Sequence, residues 1–144
     1  MKYFKKNDIY LLVLDKGEDL FKSLESWAVK ENIVGGTLSG IGALKDVELG
    51  FYHLDKKEYD RKLFKREYEL LSLEGNLTFL ENKPFFHIHT VLGDEDFNAF
   101  GGHLFSATIA VTCEINFRVF NEKAHRDMDD SIGLNLISRC GIKA

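Results

Sequence analysis

The sequence predicts an α+β fold, a mostly antiparallel β-sheet packed on one main α-helix. Two observations carry this expectation. Apolar residues recur at helical spacing in one clear stretch, where Leu20, Phe21, Leu24, Trp27 and Ala28 punctuate the run from Glu18 to about Asn32. Downstream the helical period gives way to alternation, as in Val47, Leu49 and Phe51 set against Glu48, Gly50 and Tyr52. The 144 residues suit a single domain spanning the chain, and 44% hydrophobic content with 12 Phe and one Pro supplies a core.

Taken in order, residues 8 to 14 are apolar and branched enough for a strand. Asp15 with Glu18 three residues on reads as a capping box, which starts the helix there. Residues 33 to 44 hold Gly35, Gly36, Gly40 and Gly42. No Gly-Lys-Ser/Thr closes a phosphate loop, Lys45 stands where a dinucleotide fingerprint needs glycine, and Thr37 stands where a nucleophile elbow around Ser39 needs it. The stretch therefore reads as a strand whose glycines let its backbone pack closely against the helix. Residues 68–73 and 76–80 read as two strands parted by Glu74-Gly75, followed by strands over 85–92 and 103–120. Residues 121 to 135 are polar enough for an exposed loop, and a short strand over 134–137 is expected to close the sheet.

The net charge of −4 argues against a generic basic nucleic-acid binder. One segment runs the other way. Between residues 56 and 66, Lys56, Lys57, Arg61, Lys62, Lys65 and Arg66 outweigh Glu58 and Asp60. It reads as an exposed polar hairpin, and as the candidate contact for nucleic acid or another anion. Cys113 and Cys140 form no CxxC and, without a secretory signature, read as reduced thiols of a cytoplasmic protein. The first apolar run stops at Asp15, too short for a signal peptide, and no apolar stretch suffices to span a membrane.

Three of the five histidines are organised. In the strand-like run His87-Ile88-His89, alternate side chains share a face, roughly 6.6 Å apart along the chain. Gly93-Asp94-Glu95-Asp96 then turns the chain towards Gly101-Gly102-His103. A hairpin centred on Glu95 sets His103 across the ladder from His87, with Cβ atoms about 5 Å apart. Three imidazoles on one face suit a divalent metal, zinc by ligand type, and leave a fourth position open for water or a small ligand. Glu114 is a candidate fourth ligand or supporting group; as bases for an activated water, Glu114 and Asp94 qualify by residue type only. His53 and His125 are isolated and read as surface or turn residues. Asp94, Asp96 and Asn98 begin an EF-hand pattern that breaks at Ala99 and Phe105, which excludes a calcium loop of that kind.

Several of these segments resemble a known family, the plants-and-prokaryotes conserved domain. The resemblance is carried by Leu14-Asp15-Lys16-Gly17-Glu18-Asp19, Ser39-Gly40-Ile41-Gly42-Ala43-Leu44 and Glu69-Leu70-Leu71-Ser72-Leu73-Glu74-Gly75. His87-Ile88-His89 and Gly101-Gly102-His103-Leu104 complete it, over a core of about residues 9 to 138. It implies an antiparallel sheet with a packed helix, assembled as a homotrimer, and in stand-alone prokaryotic members a metal on the residues matched here by His87, His89 and His103. The family also implies DNA association for some members, although this chain has no Arg-Gly-Arg core of an AT-hook and carries Val13 where many members have Arg. Three readings follow: a trimeric metal module with an open position for a small anion or a reactive water, a DNA- or transcription-associated scaffold, and a structural trimer braced by its metal. Whether the chain is an enzyme is left open by its sequence.

Overall fold

The computed structural model describes residues 1–138, so Cys140 lies outside the described residues. The elements are β1 (Lys2–Lys6), β2 (Ile9–Asp15), α1 (Leu20–Lys30), β3 (Gly36–His53), β4 (Glu58–Leu80), β5 (Lys83–Gly93), β6 (Ala99–Val119), β7 (Arg126–Asp129) and β8 (Leu134–Ile137). The main sheet runs β1-β2-β6-β3-β4-β5, and every pairing in it is antiparallel. Because β5 also returns to β6, the strands β6, β3, β4 and β5 close into a ring that β2 and β1 extend. Length makes this closure available. The first residues of the 21-residue β6 pair with β5, and its later residues pair with β2 along the same edge.

The helix begins later than the sequence suggests. Asp19 is the N-cap, its carboxylate accepting from the Lys22 amide at 3.0 Å. Asp15 and Glu18 instead form the turn before it, where the Asp15 amide donates to Glu18 Oε2 at 2.7 Å. Gly17 and Glu18 are tied to Ile109 on β6, which leaves them no freedom to start a helix at Asp15. From there α1 packs its buried face, Leu20, Leu24, Trp27 and Ala28, into the core and lies against β5 and β6. Trp27 meets Tyr10 and Phe117 edge-on, with ring centres 5.1 and 4.9 Å apart.

Other expectations change for related reasons. Residues 68–73 and 76–80 are parts of one 23-residue strand, in which Glu74 and Gly75 pair with both β3 and β5. Gly75 marks a close backbone approach here, since a Cβ would overlap the His87 carbonyl oxygen. Gly36, Gly40 and Gly42 of β3 likewise face the β6 backbone, not the helix: at Gly42, with φ of +155°, a Cβ would run into the Thr112 carbonyl. The strand over 134–137 forms, but as half of the separate hairpin β7–β8, so it does not close the main sheet. Phe51, placed on the buried side by alternation, is 68% exposed.

Candidate metal centre

The β5–β6 hairpin is centred one residue beyond the expected point. His103 pairs with His89, and Gly93 pairs with Ala99. The five-residue turn accounts for the shift. Asp94 accepts from the amides of Asp96 and Asn98 through Oδ1, at 3.0 and 2.8 Å, and Phe97 takes a φ of 63°. The one-residue change of centre leaves the odd-numbered histidines on a common face.

The three imidazoles consequently converge. One nitrogen from each of His87, His89 and His103 lies within 4.8 Å of the others, and the ring centres are 5.1 to 5.3 Å apart. His87 Nε2 and His89 Nε2 approach to 3.2 Å. That matches the edge of a tetrahedron built on Zn–N bonds of about 2.05 Å, which is roughly 3.3 Å. His103 Nδ1 is buried and has no hydrogen-bond partner among the described residues. Donor type, spacing and open face fit a divalent ion held by three neutral nitrogens.

The surroundings keep two of these rings, His87 and His103, neutral. Burial pushes His87 down to about 4, with the Arg126 guanidinium and His89 adding to the effect. Burial also pushes His103 down to about 4, with the other two histidines, Arg61 and Arg126 contributing. An imidazole that stays unprotonated at neutral pH is ready to ligate, because a metal has no proton to displace.

Arg126 is a feature that sequence reasoning missed. In place of an exposed loop position, it is a 7%-exposed side chain. Its guanidinium donates to Thr78 Oγ1 at 2.8 Å, Asn76 Oδ1 at 3.0 Å and the Asn135 carbonyl at 3.0 Å. Asn76 pairs with His87 across β4 and β5, so this network fastens the β7–β8 hairpin next to His87 on the same face. A lone arginine in a polar run gives no periodic signal of burial.

Glu114 is not beside the histidines. It pairs with Val13 and Ile41, and from His89 the sheet crosses β4 and β3 before reaching the part of β6 that carries it. At about 4.8 Å per strand step the gap is on the order of 10–15 Å, too far to share one ion. Glu114 lines a shallow cleft with Ile41, Glu69, Leu71 and Val111. Asp94 is taken up by the turn it caps. His53 is bonded to Asp60 at 2.8 Å, and the His125 carbonyl accepts from Ser138.

The basic segment is the exposed turn and first part of the β3–β4 hairpin, with several of its charges already engaged. Lys56 and Lys57 sit in the turn between β3 and β4, where Lys57 donates to the Asp130 carbonyl, while the remaining four lie on β4. Arg66 pairs with Glu95 at 2.6 Å, and the Lys62 ammonium lies 4.8 Å over the Phe64 ring. Arg61 lies over Phe105, beside His103. Strand alternation sends Arg61 and Lys62 to opposite faces, so the charge does not form one stripe. A cleft of about 920 Å³ lies away from the histidines, lined by Lys62, Phe64, Arg66, Tyr68, Glu95 and Phe100 among others.

Residues 1–121 match the Plants and Prokaryotes Conserved (PCC) domain. Among solved structures, the chain is similar to a metal-containing protein from Archaeoglobus fulgidus, with 36% identity over 94% of this chain and 96% of that one, at a TM-score of 0.85. A plant- and prokaryote-conserved (PPC) protein from Pyrococcus horikoshii shares 33% identity over 95% and 93% of the two chains, with a TM-score of 0.84. A third, named a putative DNA-binding protein, comes from Bacteroides thetaiotaomicron and shares 28% identity over 95% and 96%, with a TM-score of 0.91. No curated protein matches the chain.

Proposed function

This chain belongs to the Plants and Prokaryotes Conserved (PCC) domain family, and from that premise we propose that it is a trimeric metal-binding protein whose divalent ion is held by His87, His89 and His103. The observation that carries this reading is the convergence of three imidazole nitrogens within 4.8 Å on one open face. Ligand chemistry favours zinc, and three protein ligands leave a position for a small anion or a water. When bound, the ion supplies Lewis-acid polarisation of whatever fills that position. The protein's own part is to hold three neutral nitrogens on paired strands and to brace them with Arg126 and Asn76. The related protein from Archaeoglobus fulgidus is described as metal-containing, which supports the same reading.

The trimer is supported by an exposed apolar group on the sheet. Ile41, Leu71 and Val111 are 58%, 51% and 64% exposed and line one cleft. A surface of this kind is suited to burial against copies of the same chain.

Metal content after native purification tests the site. One equivalent of divalent metal per chain is expected, falling to near zero in His87→Ala and His103→Ala. Unchanged stoichiometry in both variants would overturn the assignment. Association with DNA is the second reading, favoured by the name of the Bacteroides relative and by the basic segment. A salt-sensitive duplex-DNA shift lost on reversing Lys62 and Lys65 would support it, and no binding at low salt would end it.

A further inference from the structure

The geometry points to Arg61 as the anion-recognising residue of the three-histidine site, which takes a small carboxylate held jointly by the metal's open position and the guanidinium. This rests on the metal reading above and adds to it a ligand class and a residue. Arg61, Gly50 and His103 occupy one cross-strand row of β4, β3 and β6, so they share the face that carries His87 and His89. Gly50 puts no side chain between its neighbours. Phe105 and Tyr59 fill the space a Cβ would need there, and Phe105 becomes a platform reaching from β6 towards β4.

The guanidinium carbon of Arg61 lies 3.4 Å above the Phe105 ring, and that ring is centred 4.6 Å from the His103 ring. The two distances place the guanidinium no more than about 8 Å from His103. A metal-bound carboxylate spans such a gap, accepting charge-assisted N–H···O bonds of about 2.8 Å from the arginine. Stacking on Phe105 pre-orients the planar fork, which lowers the entropy lost on binding.

The group has chemistry to spare. Among the described residues Arg61 has one ionic neighbour, Glu48, whose Oε1 is 3.8 Å from Nε, longer than a charge-assisted hydrogen bond. Its terminal nitrogens make no hydrogen bond to the described residues, and the side chain is 48% exposed. The charge balance asks for an anion as well. Three neutral imidazoles leave both charges of a divalent ion uncompensated, and the ligand set contains no carboxylate. Glu74, which pairs with His89, is the nearest acidic group along the row.

The test uses the full chain loaded with Co²⁺, whose visible absorption reports ligands entering the open position, titrated with acetate. Wild type is expected to bind one Co²⁺ and to change spectrum with acetate. Arg61→Met, which keeps length and removes charge, should bind Co²⁺ with unchanged stoichiometry and acetate about tenfold or more weakly. Arg61→Lys, which keeps charge without the fork, should fall between. Acetate affinity unchanged in Arg61→Met, or no response in wild type, overturns this inference while leaving the metal reading intact. Failure of wild type to bind Co²⁺ overturns both.

Discussion

His87 and His103 make stability depend on pH on the acid side of neutrality. Burial holds each near 4 in the folded chain against an ordinary value of 6.5. The unfolded chain therefore takes up protons on falling below pH 6.5 that the folded chain refuses until about pH 4. Stability of the metal-free protein is held above pH 6.5 and lost as pH falls through this window. Denaturant melts at stepped pH in the presence of a chelator should show that decline, and a His87→Gln/His103→Gln variant should show a flatter one. An equal slope in both would count against the burial argument. Cys113, fully buried and pushed up to about 12 by that burial, should resist alkylation in the native state and react on unfolding.

Strands and helix raise a different question, how closely they approach and where they begin. Gly75 lets β4 lie against the backbone of β5 next to His87. Gly75→Ala should cost about 1–3 kcal/mol in denaturant melts and weaken metal binding together with it, because relieving the overlap moves the strand that carries His87 and His89. Loss of stability with unchanged metal affinity would show that the histidines hold their spacing independently of β4. At the helix, Asp19→Ala should cost about 1 kcal/mol, and Asp15→Ala should not reproduce that loss through the cap. The capping-box reading at Asp15 used the right residue types, but the hydrogen bonds to Ile109 that pull residues 17 and 18 into a turn come from a strand ninety residues away. Similarly, Glu74-Gly75 carries the composition of a turn. Pairing on both sides, to β3 and β5, holds it extended.

At the scale of the whole molecule, the exposed cleft of Ile41, Leu71 and Val111 should govern assembly. If the proposed trimer forms there, wild type should show a trimer mass by light scattering and Val111→Asp a monomer mass, with the fold retained. A variant that remains trimeric would move the interface elsewhere. The sequence by itself determined the local periods: one amphipathic helix, alternating strands, and two histidines on one face of β5 with a third beyond a turn. Those follow from side-chain geometry within a few residues, which is why a one-residue error in the hairpin centre left the three histidines together. Tertiary structure alone decided the closure of the four-strand ring, the burial of Arg126 next to His87, the distance of Glu114 from the histidine face, and the stacking of Arg61 on Phe105. Each depends on which strands become neighbours, and that is settled by pairing and packing between segments whose separation in sequence hides it.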